Sequence, residues 1–169
     1  MSISQVLLPE LDQEIGKTRK VLERLPMERF DWKPHEKSFS VGELGNHTAR
    51  ILGWGTQTLM TDSFDMEPEE EAGPPEPPVA RDKASLLGAF DEGAAEFRKA
   101  VEGAADETLM APWTLLQKGN VLFTMPRMAV IRSMIMNHLI HHRGQLSVYL
   151  RMNDVPVPSI YGPSADEAS

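Results

Sequence analysis

The first helix of this chain is predicted by apolar residues that recur every three or four positions. Glu, Lys and Arg lie between them, which is the pattern of an amphipathic helix with one buried face. Pro26 cannot continue a helix, so we expect the helix to end just before it. Pro9 either opens this helix or kinks it. The apolar positions are Ile3, Leu7, Leu11, Ile15, Leu22 and Leu25.

A second helix is predicted to begin at Ser40 and to continue to about residue 62. Ser40 and Glu43 have the spacing of a capping box, in which each side chain accepts a hydrogen bond from the other residue's backbone N–H. We expect one face of this helix to point inward. That face carries Leu44, His47, Ile51, Trp54 and Thr58.

Residues 65–80 carry five prolines, five glutamates and one aspartate, a composition typical of an extended linker. At about 3.1 Å per residue such a segment reaches about 50 Å, whereas a helix of about 20 residues is only about 30 Å long. The linker is therefore long enough to run along a whole helix bundle. Both a solvated crossover and a lid over a site fit this composition.

The third helix is predicted to start at Asp82, a good N-cap residue, and to end at Gly103. The segment 106–125 that follows has no clear period. Two short apolar stretches flank Gly119–Asn120, so both a hairpin and a plain loop fit.

The fourth helix is predicted to start near Thr124, with Pro126 in its first turn, and to continue to about Met152. Residues 153–169 form an irregular C-terminal tail, because prolines near its start prevent a helix. Together these elements predict an all-α protein with a single domain over residues 1–169. The expected fold is a four-helix bundle, with the proline-rich crossover between helices two and three and a short irregular insert before helix four.

The absence of cysteine restricts the available chemistry. Disulfides, thiolate metal sites and a sulfur nucleophile from the chain itself are excluded, which leaves His, Asp and Glu as metal ligands. The net charge of -8 disfavours contact with nucleic-acid backbones. No apolar run approaches the roughly 20 residues of a membrane span, and the start of the chain lacks a signal-peptide pattern. We therefore expect a cytoplasmic protein that binds neither membranes nor nucleic acids.

Three of the five histidines lie close together in the predicted fourth helix. His138 and His142 are four positions apart, so both imidazoles lie on one helix face and can bind the same metal ion, whereas His141 lies at the edge of that face. Ordinary core histidines with one hydrogen bond each remain an alternative. His47 is the candidate third ligand, although a neighbouring glutamate could equally satisfy its ring. His35, in a proline-flanked loop, is expected at the surface.

Several segments together resemble the DinB family, which is part of the DinB/YfiT-like superfamily of bacterial metalloenzymes. The most specific of them is the pattern H-x-x-x-H-R-G-Q over residues 138–145. The others are the segment 42–47, GELGNH, and the tail 155–167, which contains YGPSADE. The resemblance covers nearly the whole chain.

The resemblance implies a four-helix bundle that holds one divalent metal ion, commonly nickel or zinc, with three histidines. Carried over to this chain, the ligands are His47, His138 and His142, and His141 is not a ligand. Family members often dimerise, and the fourth helix is apolar on nearly every side. We therefore expect a homodimer, although the 106–125 segment or the tail could equally cover the extra apolar face.

Three neutral imidazoles leave at least one position open on a divalent ion, as in catalytic sites. Such an ion can lower the pKa of bound water from about 15.7 toward about 7, or stabilise a thiolate. Superfamily members include S-transferases that use low-molecular-weight thiols such as bacillithiol or mycothiol, and here such a thiol must be external. We expect a metal-dependent S-transferase acting on small molecules. The alternatives are a metal-dependent hydrolase, a non-catalytic metal-binding stress-response protein, and a helical protein whose histidines bind nothing.

Two further residues near the histidine pair have expected roles. Gln145 lies on the histidine face, where it is expected to hydrogen-bond a metal ligand or a bound water. Arg143 lies off that face and is expected to pair with a carboxylate or carbonyl of the protein rather than with substrate.

Overall fold

Four long helices pack around one apolar core in the computed structural model, which describes residues 1–68 and 78–167. They are α1 (Ile3–Arg24), α2 (Val41–Met60), α3 (Lys83–Gly103) and a last helix that ends with α6 (Asn137–Met152). α1 and α2 each pack against both α3 and α6. Most of the predicted linker lies outside the described residues.

The helix starts follow the capping residues closely. Ser40 and Glu43 form the predicted capping box at the start of α2, and Ser2 forms a second one with Gln5 at the start of α1. Helix α1 therefore begins before Pro9 and continues through it. Among the described residues, no helix is both long and apolar enough to cross a membrane.

The chain is mostly helical, as predicted, but it also contains a small sheet that the all-α prediction did not include. In the described part of the chain, β1 (Ser63–Asp65), β2 (Pro112–Gln117) and β3 (Asn120–Pro126) form a sheet in that order. β1 pairs parallel to β2, and β2 pairs antiparallel to β3. Of the two alternatives for segment 106–125, the structure shows the hairpin, preceded by the short helix α4 (Asp106–Met110).

The hairpin turn lies at Lys118 and Gly119, one residue earlier than the sequence suggested. Their φ angles of 51° and 73° fit the two-residue turn that matches the natural twist of paired strands. The Asp65 carboxylate accepts hydrogen bonds from the backbone N–H of Lys118 (3.0 Å) and Gly119 (2.7 Å). These bonds hold the turn against β1, which explains how so short a strand joins the sheet.

The last helix starts later than predicted, because residues 124–126 pair with β2 instead of entering the helix. It comprises α5 (Arg127–Val130), a π-helical stretch (Ile131–Met136) and α6. π-Helical turns inside α-helices are frequently found next to functional sites. This one ends directly before the segment that carries the histidine pair.

Arg127 attaches the start of the last helix to the end of α2. Its buried guanidinium donates hydrogen bonds to the carbonyls of Thr58 (3.0 Å) and Thr61 (2.8 Å) and forms an ion pair with Asp62 (2.6 Å). Since α2 and the last helix carry the candidate ligands, this contact helps to set the spacing between them.

The tail is irregular, as predicted, and ion pairs attach it to the helices. Asp166 pairs with Arg151 of α6 (2.5 Å), and Glu167 pairs with Arg24 of α1. The tail thus spans the ends of two helices.

Close packing between α2 and α3 depends on Gly55. A Cβ at this position would lie 2.5 Å from Cε2 of Phe97. We expect Gly55→Ala to lower the free energy of unfolding by about 1–3 kcal/mol, because the close-packed core cannot absorb the methyl group. Gly53→Ala is the matched control on the same helix, since its Cβ would meet nothing within 4 Å. Urea denaturation of both variants checks this, and equal losses would contradict the packing argument.

Candidate metal centre

Two helices bring three imidazoles together. His47 comes from α2, and His138 and His142 come from α6. Nε2 of His47 lies 3.1 Å from Nε2 of His138 and 3.1 Å from Nε2 of His142. Two nitrogens bound tetrahedrally to zinc at about 2.05 Å would lie about 3.3 Å apart. The three histidines could therefore hold one metal ion, since a ligand atom from each lies within 4.8 Å of the others.

The other two histidines do not join this group. His141 is exposed, and although its ring lies 4.9 Å from that of His142, it does not take part in the cluster. His35 is exposed in its loop, where its Nδ1 accepts a hydrogen bond from the backbone N–H of Lys37. The structure thus brings together the three histidines singled out in the sequence and separates them from the remaining two.

The three clustered imidazoles favour the neutral form. Burial lowers the pKa of His47 to about 4, and repulsion from His142, His138 and Arg50 adds to this effect. Burial is also the main cause that lowers the pKa of His138 and of His142. A neutral imidazole keeps a nitrogen lone pair free for a metal ion, so the cluster is in its binding form at neutral pH.

Two of the rings are oriented by further hydrogen bonds. Nδ1 of His142 lies 2.6 Å from Oε1 of Gln145, which fixes the ring with Nδ1–H as donor and leaves Nε2 free. This is the contact expected for Gln145. The His138 ring hydrogen-bonds the backbone of Met134 in the π-helical stretch. That second contact was not predicted, because the sequence gives no sign of the π-helical turn.

Two clefts border the histidines. A cleft of about 640 Å³ reaches His47, and a smaller one of about 290 Å³ reaches His142 and Gln145. Phe39 lines both clefts. The larger cleft is also lined by Phe30, Asp31, Lys33, Ser40, Glu43, Asn46, Arg50, Trp54, Val79 and Arg81.

The prediction that this whole face of α2 points inward was wrong for Trp54. Its side chain is 40% exposed, and His47 is only partly buried. This end of the face borders the larger cleft instead of the core. Helical periodicity places Trp54 beside His47 but cannot show which part of the face is left uncovered.

Phe39 had no signal in the sequence, because it precedes the second helix and belongs to no periodic pattern. Its position depends on how the preceding loop folds back. Backbone hydrogen bonds from Val41 to Trp32 (3.0 Å) and from Gly42 to Phe30 (2.9 Å) hold that loop against the start of α2. The ring of Phe39 consequently lies 5.8 Å from that of His47.

Comparison with known proteins identifies the family. A sequence model of the DinB family matches residues 1–169. The chain belongs to the DinB family. It is 25% identical over 154 residues to the uncharacterized protein YrdA of Bacillus subtilis (strain 168), covering 91% of this chain and 85% of YrdA.

Two solved structures of DinB-like proteins share the fold. One, from Bacillus cereus ATCC 10987, superposes with a TM-score of 0.69 at 20% identity, covering 95% of this chain and 98% of that chain. The other, YjoA from Bacillus subtilis, has a TM-score of 0.67 at 19% identity, covering 90% of this chain and 96% of that chain. The arrangement of helices described above is therefore a DinB-like fold.

Proposed function

We propose that His47, His138 and His142 bind one divalent metal ion, either nickel or zinc, and that this DinB protein is a metal-dependent enzyme. The convergence of three Nε2 atoms carries the proposal. Metal binding would also explain why three partly or fully buried imidazoles face one another, an arrangement that is costly without a cation between them. The fold that holds them is, in this proposal, a single-domain four-helix bundle with the three-stranded sheet as an insert.

We propose that the reaction is transfer of a low-molecular-weight thiol to a small electrophile. The chain has no cysteine, so the thiol must come from outside. When bound, the metal ion supplies a positive charge that stabilises the thiolate. Two clefts that border the histidines offer room for two reactants, which favours transfer over hydrolysis.

The protein residues would orient and enclose the reactants. Gln145 holds His142 in the tautomer that leaves Nε2 free. Phe39 and Trp54 place apolar rings beside His47, where they limit access of water.

The test is a reaction between a thiol and an electrophile in the presence of the metal-loaded protein. We expect 1-chloro-2,4-dinitrobenzene and a low-molecular-weight thiol to be consumed together, and a chelator to stop the reaction. Cysteamine, glutathione and bacillithiol should be compared as thiol donors. Turnover of ester or amide substrates without any thiol would contradict thiol transfer and support the hydrolase alternative. Metal binding without turnover of either kind would support a non-catalytic metal-binding protein.

We also propose a cytoplasmic homodimer. The apolar side of α6 that was expected to meet a second subunit is instead largely buried, with Leu139 and Leu150 inside the core of the same chain. Val148 and Met152 of α6 remain exposed and are the residues that a partner would cover. A monomer mass in sedimentation at micromolar concentration would contradict the dimer.

A further inference from the structure

Two aromatic side chains lie next to His47. The ring centroid of Phe39 lies 5.8 Å from that of His47, and the Trp54 ring lies 5.5 Å from it in an edge-on orientation. Trp54 also stacks on His138, at 5.8 Å between centroids and with 27° between the ring planes. Each of the two aromatic rings thus contacts at least one of the candidate metal ligands.

Both rings are unusually open to solvent for such large apolar groups. Phe39 is 50% exposed and Trp54 is 40% exposed, and both line the larger cleft. Single exposed apolar side chains are common on protein surfaces and need no explanation. Two of them flanking the same candidate ligand at the mouth of a cleft form a surface that an apolar group would cover.

The backbone beneath Phe39 is held in place. The hydroxyl of Tyr149 donates a hydrogen bond to the carbonyl of Phe39 (2.9 Å), and Tyr149 is itself packed against Trp32. Directly after Phe39, the N–H of Ser40 donates to the Glu43 carboxylate (2.7 Å). Trp54 lies on the regular helix α2. The backbone that carries each of the two rings is therefore held in place before any ligand arrives, which reduces the entropy lost on binding.

We propose that Phe39 and Trp54 form an aromatic clamp that selects substrates in which a planar apolar group is attached next to the metal-binding atom. The clamp rests on the proposed metal site, because the histidines must hold an ion for the substrate to be anchored next to the two rings. A flat ring fits this position because it can stack on, or meet edge-on, both aromatic side chains. A short aliphatic group offers much less contact area.

The test compares two small chelators, benzohydroxamate and acetohydroxamate. Both carry a hydroxamate group that binds metal, but the first carries a phenyl ring next to it and the second only a methyl group. Their affinities for the zinc-loaded protein are measured by titration calorimetry. The readout is the ratio of the two dissociation constants, so that a general change at the metal affects both values and cancels. We expect benzohydroxamate to bind about tenfold more tightly to the unmodified protein. In Phe39→Ala and in Trp54→Ala the preference should fall to about twofold or less.

Met60→Ala is the matched control, because Met60 is an exposed apolar residue on α2 that lines neither cleft. Its ratio should equal that of the unmodified protein. Equal affinities for the two chelators in the unmodified protein, or an unchanged ratio in both clamp variants, would overturn the clamp. If neither chelator binds the zinc-treated protein better than the zinc-free protein, the metal site itself is wrong, and the clamp fails with it.

Discussion

Replacing any one of His47, His138 and His142 with alanine is expected to weaken zinc binding by more than about 100-fold. Loss of a hydrogen-bonding partner behind a ligand already costs about 10–100-fold in metal affinity, and loss of the ligand itself removes a metal bond. The geometry gives no reason for one histidine to matter less, because His47 Nε2 is 3.1 Å from Nε2 of both others. Competition with a chromophoric chelator, on untagged protein, measures the affinity. The unmodified protein should bind about one ion per chain.

His141→Ala is the matched control for this experiment. His141 is adjacent to His142 in sequence and has the same side chain, but it is exposed and lies outside the cluster. Its replacement should leave zinc affinity within about twofold. Gln145→Leu should give an intermediate loss of about 10–100-fold, because it removes only the acceptor for His142 Nδ1–H. Equal losses in His141→Ala and His142→Ala would show that zinc binds elsewhere.

Replacing Arg143 with methionine is expected to lower the free energy of unfolding by about 3–5 kcal/mol. Arg143 is 1% exposed and forms an ion pair at 2.6 Å with Glu14, which is 4% exposed. Its guanidinium also donates to the hydroxyl of Tyr161 in the C-terminal tail (2.5 Å), and that hydroxyl donates to Glu14 (2.6 Å). Without Arg143, the buried Glu14 carboxylate keeps only the longer ion pair with Lys17, at 3.5 Å. For a chain of this size the melting temperature should fall by roughly 6–20 °C, as measured by calorimetry.

Arg98→Met is the matched control for the ion pair. Arg98 of α3 pairs with Asp12 of α1 at 2.8 Å, but both side chains are more than 40% exposed. Solvent screening makes the contribution of such an exposed pair to stability small. The double variant Arg143→Met with Glu14→Leu should lose less than the sum of the two single changes, because each single change already removes the Arg143–Glu14 interaction and leaves one of its two charges buried. A loss in Arg143→Met no larger than in Arg98→Met would contradict a stabilising role for the buried pair.

The pH dependence of stability provides a second measure of the same ion pair. Burial alone would raise the pKa of Glu14, but hydrogen bonds from Tyr161 and Arg143 and the charge of Arg143 together lower it below its usual value of 4.5. A carboxylate whose pKa is lower in the folded state adds stability at pH values above its unfolded pKa and loses that contribution as the pH falls. The difference between unmodified protein and Arg143→Met should therefore be largest near neutral pH and shrink below about pH 4.5.

For Arg143, the sequence predicted the kind of partner but not which residue it is. Its position off the histidine face predicted a partner within the protein, and this was confirmed. The sequence did not show that the partner would be Glu14, on the first helix, or that Tyr161 would bridge the two. Such partners depend on which helices become neighbours, and neither residue is close to Arg143 along the chain.

The same distinction applies to the fold. Capping residues and the helical period predicted the start of α2, the end of α1 and the extent of α3, because each depends on interactions within a few residues. The hairpin of β2 and β3 was one of two alternatives that the sequence left open, whereas β1 was not predicted. β1 has only three residues and is ordered through pairing with β2 and through the contacts of Asp65 with the hairpin turn. Its stability therefore comes from residues about 50 positions away, which no local pattern records.

For the candidate metal centre, the sequence by itself determined which histidines are candidate ligands. The spacing of His138 and His142 places both on one helix face, and the position of His47 on the apolar face of the second helix made it the candidate third ligand. The resemblance to the DinB family implied the same three residues. Only the tertiary structure decided that the three Nε2 atoms meet, that Trp54 faces a cleft instead of the core, and that Phe39 lies beside His47. The physical reason is that helical periodicity fixes directions around one axis, whereas these positions depend on how separate segments pack. Arg127 and the backbone bonds before α2 set that packing, and they act between segments far apart in the chain.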